Sequence, residues 1–250
     1  VIMILMTSVW IASVFLKNAS IVDPFWGLGF VVVSAFYFLQ VDEISARSVI
    51  IMILVAIWGL RLSIYLFWRN WGKGEDFRYK EFRKNFGELR YWWFSFFQVF
   101  LLQGFLLWLI SAPLLGAMHF GAGGNINLFD WLAIIVWIVG FMFEAGGDFQ
   151  LARFKANPIN KGKVLNKGFW KYTRHPNYFG DSAVWWGYGL FSIAAGCYLA
   201  VLGSILMTAL IIKISGVALL ERSLKDKKPE YIDYINKTSA FIPWFPKKSV

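Results

Sequence analysis

The sequence has few of the residues that build disulfide scaffolds, metal centres or charged surfaces. It contains one cysteine, Cys197, and two histidines, His119 and His175, among 250 residues. One cysteine excludes an internal disulfide and a thiolate metal cluster, and two histidines leave little for a zinc site, so we expect no metal. Only 16% of the residues are charged, against about 25% in soluble domains. That is too few charges to cover a globule in water.

Common nucleotide-binding and hydrolase motifs are also missing. The chain has no Walker A motif, no Gly-x-Ser-x-Gly and no His-Glu-x-x-His. The glycine pairs at 27–29 and 187–189 lie in apolar runs and lack the third glycine of a dinucleotide-binding turn. A nucleotide would therefore have to be held by helix ends and cationic loops.

Apolar and aromatic residues dominate instead, at 58% and 20% of the chain. A helix needs about 20 apolar residues to cross a membrane. The segments that meet or approach this length are 1–16, 24–39, 48–68, 91–118, 128–147, 181–195 and 198–220. The first lacks the basic start and small-residue cleavage site of a signal peptide. We therefore predict an all-α integral membrane protein with seven transmembrane helices, in which Pro113 kinks or ends the fourth.

Basic residues are concentrated on one side of these seven spans. All but three of the 25 Lys and Arg residues fall on the side of the C-terminus, the exceptions being Arg47, Arg61 and Lys213. Because cytoplasmic loops carry the excess of Lys and Arg, we expect the N-terminus outside and the C-terminus in the cytoplasm of a bacterium, with the spans in its inner membrane. The net charge of +10 then reflects topology and anionic lipid, not nucleic acid.

No repeat or domain break is visible, so we expect one membrane domain over residues 1–250, present as a monomer. Within it, we expect residues 1–118 to form a substrate pocket. Residues 119–250 would supply cofactor-binding helices and cytoplasmic loops.

Ionisable side chains at membrane depth are costly and therefore indicate functional sites. Glu144 and Asp148 are four residues apart, on one helical face, and Arg153 and Lys155 follow directly. This grouping favours a ligand site, although a solvated helix end would also explain it.

The third span offers a second polar face. Trp58, Arg61 and Tyr65 are spaced so that they point together into the bundle. The alternative is that Arg61 is a structural partner for an acid such as Asp23. Asp23 itself precedes Pro24 at the start of the second span, where capping of the helix is as reasonable as a catalytic role.

Residues 174–188 form the densest polar segment, directly before a span. They bring together Arg174, His175, Asn177, Tyr178 and Asp181. Trp185 and Tyr188 continue one helical stripe from polar to aromatic. Such a cluster suits an amphipathic cofactor with phosphates above and a flat heterocycle below, whereas a structural interface belt would explain only the aromatic residues.

Segments 174–181 and 185–190, Glu221, and the ending 241–246 resemble the steroid 5-alpha-reductase superfamily. The likeness is greatest to its bacterial branch, catalogued as a domain of unknown function, and is sharp over roughly 140–246. Members of the superfamily are seven-helix membrane reductases that use NADPH to saturate the carbon–carbon double bond of an enone, typically a 3-oxo-Δ4-steroid.

The resemblance implies a cofactor site. Asn177 and Asp181 fit a motif that contacts the nicotinamide and its ribose. Asp148 and Lys155 fit an acid and a downstream cation. The other positions that we assign to NADPH binding are Arg61, Arg69, Asn70, Glu144, Arg153, Arg174, His175, Tyr178 and Glu221.

The resemblance also implies a catalytic pair. Eukaryotic members polarise the substrate carbonyl with a Glu on the second span and a Tyr on the third. Here Asp23 would be the acid, and Trp58 stands at the position of that tyrosine. Because an indole cannot supply a proton, either Tyr65 or a water would take that part, or the substrate would not be a classical steroid.

The sequence thus predicts an NADPH-dependent reductase acting on a lipophilic, steroid-like enone that enters from membrane lipid. The alternative is a membrane methyltransferase of the isoprenylcysteine or phospholipid type, whose members carry an Arg-His-Pro-x-Tyr segment and bind S-adenosylmethionine there.

Overall fold

The computed structural model describes residues 1–120, 124–215 and 230–247. Within these ranges all regular secondary structure is helical, apart from an isolated bridge between Thr173 and Ser239. The α-helices are α1 (Ile2–Phe15), α2 (Phe25–Phe38), α3 (Ala46–Asn70), α4 (Phe77–Phe86), α5 (Glu88–Ser95), α6 (Leu102–Ile110), α7 (Ala112–His119), α8 (Leu128–Ala156), α9 (Pro176–Ala194), α10 (Leu202–Ala209) and α11 (Glu230–Lys237). Short 3-10 helices lie at Ala19–Val22, Pro158–Asn160, Gly168–Lys171 and Tyr198–Val201, and π-helical turns at Phe96–Leu101 and Leu210–Ser215. The predicted all-α fold is confirmed for these residues.

Among the described residues, four helical stretches are long and apolar enough to cross a membrane: Ala19–Phe38, Ala46–Asn70, Glu88–His119 and Leu128–Ala156. Two shorter apolar helices cover Ile2–Phe15 and Tyr198–Lys213. Large apolar side chains remain exposed, for example Phe15 at 83%, which fits a lipid environment. These observations support a membrane protein, while the count of seven spans and their orientation stay predictions.

The predicted break in the fourth span is confirmed. Helix α6 ends at Ile110 and α7 begins at Ala112, with Pro113 in its first turn. Proline is tolerated there because the first amide groups of a helix have no partner within the helix.

The chain divides into two compact units. The first unit comprises Val1–Ile126 and Ala195–Cys197, and the second comprises Asn127–Ala194 and Tyr198–Val250.

In the first unit, α2 and α3 approach closely at two glycines. A Cβ on Gly27 would lie 2.3 Å from the carbonyl oxygen of Gly59, and a Cβ on Gly59 would lie 2.6 Å from that of Gly27. Beside this contact the buried Trp58 ring packs on Phe30, with centroids 5.7 Å apart. Any larger residue at either glycine would separate the two backbones.

The segments that connect the helices of the first unit contact one another at the two ends of those helices. The segment after α1 contacts the segment after α3, because the Ala19 amide donates to Glu75 Oε1 at 2.8 Å. The start of α3 contacts the segment after α7, since Arg47 Nη2 donates to the Asn125 carbonyl at 3.4 Å. The candidate spans Ala19–Phe38, Ala46–Asn70 and Glu88–His119 therefore alternate in direction.

In the second unit, α8 and α9 pack through glycines in the same way. A Cβ on Gly180 would lie 2.3 Å from the backbone nitrogen of Glu144 and 2.5 Å from the carbonyl oxygen of Gly140. One heptad further along α9, a Cβ on Gly187 would lie 3.0 Å from Trp137 Cβ. The contact brings the polar end of α8 against the beginning of α9.

Replacing Gly180 with alanine should lower the Tm of the detergent-solubilised protein by several degrees, because the new methyl group meets backbone atoms that cannot move aside. Gly104→Ala is the matched control, since its nearest neighbours are the flexible Met6 and Met3 side chains at 3.1 and 3.2 Å. Alanine also favours a helix over glycine, so the control should keep its Tm. Equal Tm values for the two variants, measured by differential scanning fluorimetry, would contradict this account.

Candidate functional site

A chain of hydrogen bonds is built around Asp23 in the first unit. The Asp23 carboxylate accepts from the Tyr79 hydroxyl at 2.7 Å and from Arg78 Nη2 at 3.1 Å. Gln103 Nε2 donates to the Tyr79 oxygen at 3.4 Å, and Trp26 Nε1 donates to Gln103 Oε1 at 2.6 Å.

The first residue of α2 is Phe25, and the N-cap of this helix is Pro24, which makes no side-chain hydrogen bond to it. The idea that Asp23 caps this helix is therefore wrong.

Asp76 fixes the position of α4, which carries Arg78 and Tyr79. Its carboxylate caps the helix by accepting from the Arg78 amide at 3.0 Å, and it also accepts from Arg78 Nε at 2.9 Å. The Asp76 amide in turn donates to Ser20 Oγ at 3.1 Å. The turn after α3 is thereby tied to the segment before α2, and this brings Tyr79 to Asp23.

The electrostatics of this cluster keep the phenol protonated and the guanidinium charged. Burial raises the pKa of Tyr79, and the neighbouring Asp23 carboxylate raises it further. Burial acts to raise the pKa of Asp76, but hydrogen bonds and charge from Arg78 outweigh it and hold that pKa below its usual value. Burial acts to lower the pKa of Arg78, but its bonds to Asp76 and the Asp23 charge raise it overall. The cluster thus offers a hydroxyl donor and a cation.

The predicted catalytic residues on α3 lie in other surroundings. Trp58 is buried against Phe30, and the Tyr65 ring lies 6.2 Å from Trp68 with the Arg69 guanidinium 5.8 Å above it. The Nε and Nη2 atoms of Arg61 are buried, and Arg69 Nε donates to Asn70 Oδ1 at 3.2 Å. The roles assigned to these residues stay predictions.

The phenol that the structure places beside Asp23 is Tyr79, which the sequence analysis did not single out. A usable signal was present: Asp76 is a good N-cap residue, and a helix that begins there carries a cation and a tyrosine in its first turn. Long loops with such residues often carry function.

In the second unit, the end of α8 meets the beginning of α9, as the assignment of Asp148 and Asn177 to one cofactor site implies. Asn177 Nδ2 donates to Asp148 Oδ1 at 3.2 Å, and Asp148 is 7% exposed. The contact depends on Gly147, where a Cβ would lie 3.1 Å from Pro176 Cγ and 3.2 Å from the Asn177 nitrogen. Two of the predicted cofactor-binding residues are therefore direct neighbours.

The charged residues near the end of α8 lie on two faces of the helix. At 100° per residue, Glu144, Asp148 and Lys155 share one face, and Glu144 is buried at the contact with Gly180. Arg153 falls on the opposite face. The predicted grouping of Arg153 with Asp148 is therefore not formed, whereas Lys155 remains on the side of Asp148.

Arg174 links the segment before α9 to the C-terminal segment. It is buried, and its Nη1 donates to the carbonyl oxygens of Ile235 at 3.0 Å and Thr238 at 2.6 Å. Next to it, the buried His175 ring stacks on Tyr178 with centroids 5.7 Å apart. This gives Arg174 a structural function, and its predicted contact with a cofactor phosphate stays a prediction.

The polar and aromatic residues that follow Asn177 on one face of α9 lie in different surroundings. Asp181 Oδ1 is buried, and Asp181 and Glu144 both act electrostatically on the Tyr188 hydroxyl. That hydroxyl accepts from Trp137 Nε1 at 2.9 Å, deep in the core. Tyr188, at the apolar end of this face, is thus part of the core packing.

Glu221 lies outside the described residues. Within the described residues no group of three potential metal ligands occurs.

Comparisons with known proteins give one relative along nearly the whole chain. The chain is 27% identical over 259 residues to an uncharacterized protein of Schizosaccharomyces pombe, covering 94% of this chain and 75% of that protein. It is also 37% identical over 75 residues to a probable O-methyltransferase, ustE, of Ustilaginoidea virens, covering 29% of this chain and 26% of that one. No solved structure matches.

A protein family described as a protein of unknown function, DUF1295, matches residues 9–238. Since this match spans most of the sequence, the chain belongs to the DUF1295 family.

Proposed function

We propose that this protein is a membrane reductase of the steroid 5-alpha-reductase superfamily, which uses NADPH to saturate the double bond of a lipophilic enone such as a 3-oxo-Δ4-steroid. The observation that carries the proposal is the hydrogen bond between Tyr79 and Asp23 beside Arg78. A protonated phenol and a cation within a largely apolar unit are what an enone carbonyl needs as it gains negative charge.

The proposal includes seven spans with a cytoplasmic C-terminus. Helix ends alternate in the first unit, as described above. In the second unit, Asn127 Nδ2 at the start of α8 donates to the Ala194 carbonyl at the end of α9, at 3.1 Å. At the other end of these helices Thr173 pairs with Ser239. This alternation and the one-sided basic loops support the orientation, and location in a bacterial inner membrane stays a prediction.

The residues around Asp148 fit a pyridine dinucleotide. Bound NADPH would supply a hydride. Asn177 and Asp148 offer amide and carboxylate groups that can bond to a carboxamide and to ribose hydroxyls, and Asp181 follows one turn later on α9. Lys155, on the face of α8 that carries Asp148, can neutralise a phosphate, although without the bidentate geometry of arginine.

In the proposed mechanism Tyr79 binds and polarises the substrate carbonyl. Hydride addition at the β-carbon breaks the carbon–carbon π bond and moves its electrons toward the carbonyl oxygen, where an enolate develops. The Tyr79 hydroxyl turns from Asp23 to donate to that oxygen, while Gln103 Nε2 still donates to the phenol oxygen. Because its raised pKa holds the proton on Tyr79, the α-carbon takes its proton from water. Asp23 accepts from the phenol before the substrate binds, and the Arg78 guanidinium, 5.5 Å from the centroid of the Tyr79 ring, keeps the ring in place when the hydroxyl turns.

Tyr79→Phe should lower kcat/KM for enone reduction about 10²- to 10³-fold, the usual cost of losing one oxyanion donor. NADPH consumption against an enone panel in detergent, with product mass, measures this. Asp23→Asn should also reduce the rate, because Arg78 loses the carboxylate that positions its charge beside Tyr79. Tyr37→Phe is the control, since that hydroxyl contacts Ser111 instead, at 3.0 Å. Full activity of Tyr79→Phe would remove Tyr79 from the mechanism.

Asn177→Ala and Asp181→Ala should weaken NADPH binding at least about tenfold before they affect folding, because each removes a polar group that would contact the cofactor. Binding is measured by the NADPH-induced rise in Tm. Asn166→Ala, at an exposed loop asparagine, should bind NADPH as the wild type does. Unchanged binding in both site variants would show that the cofactor lies elsewhere.

A second candidate function is an S-adenosylmethionine-dependent methyltransferase. It is favoured by the similarity over 75 residues to a probable O-methyltransferase.

A thermal-shift comparison of the two cofactors separates these functions. We expect NADPH to raise the Tm of the wild-type protein and S-adenosylmethionine to leave it unchanged, since ligands stabilise the state they bind. The reverse result would establish the methyltransferase and exclude the reductase.

A further inference from the structure

We propose that the second unit binds the headgroup of an anionic phospholipid in a cavity on the face of α8 opposite Asp148. The cavity has a volume of about 770 Å³, and its lining includes Phe149, Gln150, Arg153, Asn157, Lys167 and Phe169. This volume is in the range of small-molecule sites. The inference does not depend on the reductase proposal, because it concerns other residues on another face of the helix.

The wall of the cavity is fixed by contacts between α8 and the loop that follows it. The Phe169 amide donates to Gln150 Oε1 at 3.0 Å. The Phe169 ring packs against Gly146, where an added Cβ would lie 2.4 Å from the ring atom Cε2. Gly168 has a φ of +61°, and a Cβ there would lie 2.5 Å from Gln150 Oε1. The two glycines let the loop lie directly on the helix, so the cavity is formed without a ligand.

The charge of the cavity calls for an anion. Neither Arg153 nor Lys167 forms a side-chain hydrogen bond or ion pair with any residue in the described ranges, and no described carboxylate lines the cavity. Gln150 and Asn157 accept backbone bonds through their side-chain oxygens, which leaves their amide nitrogens to donate. Two cations and two amide donors match the oxygen atoms of a phosphate ester.

The position of the cavity indicates a lipid. Arg153 lies in the last turn of the candidate span Leu128–Ala156. On the same helical face, Ile135, Met142 and Phe149 are exposed by 57%, 56% and 65%. An apolar stripe therefore leads along the helix to Arg153, and an acyl chain can follow it while the headgroup occupies the cavity. Clusters of Lys and Arg next to a span are typical binding sites of anionic lipids.

The full chain in neutral detergent is titrated with dioctanoyl phosphatidylglycerol and with dioctanoyl phosphatidylcholine, which differ in the charge of the headgroup. Tryptophan fluorescence reports binding. We expect the wild type to bind the anionic lipid at least about tenfold more tightly, and Arg153→Gln/Lys167→Gln to lose that preference. Lys161→Gln/Lys171→Gln removes the same charge from exposed positions outside the cavity and should keep it.

Three results would overturn the proposal. The first is equal affinity of the wild type for the two lipids, which decides the matter even if a variant folds poorly. The second is an equal loss of preference in both double variants, which would indicate a general effect of charge. The third is displacement of the anionic lipid by adenosine 2′,5′-bisphosphate in simple competition, which would assign the cavity to a nucleotide.

Discussion

Close approach of helix backbones at glycine is the interaction on which both units depend. Between α8 and α9 the carbonyl oxygen of Gly140 and the amide of Glu144 occupy the space that a side chain on Gly180 would need. In lipid, helices gain little from burying apolar surface against each other, so such packing has to supply much of the association. The same contact sets the register of the two helices. Asp148 and Asn177 meet because Gly147 permits it.

The polar cluster around Asp23 lies at helix ends, where its members find partners. The donors to Asp23 come from α4, with Tyr79 at 2.7 Å and Arg78 at 3.1 Å, and Gln103 on α6 donates in turn to the Tyr79 oxygen at 3.4 Å. A buried carboxylate without such donors would cost several kcal/mol. Arg78 is shared between Asp23 and Asp76, so one cation serves two carboxylates. The donors that stabilise the fold are thus also the groups that a substrate carbonyl would meet.

The sequence predicted the all-α membrane fold and the break near Pro113, because these follow from hydropathy and proline geometry. The resemblance to a reductase superfamily implied that Asp148 and Asn177 serve one site, and the two side chains are hydrogen-bonded. The sequence did not predict Tyr79, because the partner of Asp23 comes from 56 residues further along the chain, and such pairing depends on how a loop folds back. Nor did adjacency in sequence show that Arg153 and Asp148 lie on opposite faces of α8. Arg174 was interpreted by its charge, yet its guanidinium bonds to backbone carbonyls of the C-terminal segment.

The proposed reduction and the alternative methyl transfer place different demands on Tyr79. Methyl transfer from a sulfonium neutralises charge and needs a nucleophile, often with a base beside it, so no new oxyanion has to be stabilised. Conjugate reduction places negative charge on a carbonyl oxygen and needs donors directed at that oxygen. Burial and the Asp23 carboxylate raise the pKa of Tyr79, which makes the phenol a poor base and a durable donor. With Arg78 adjacent, the cluster offers the donors that the proposed reduction would need.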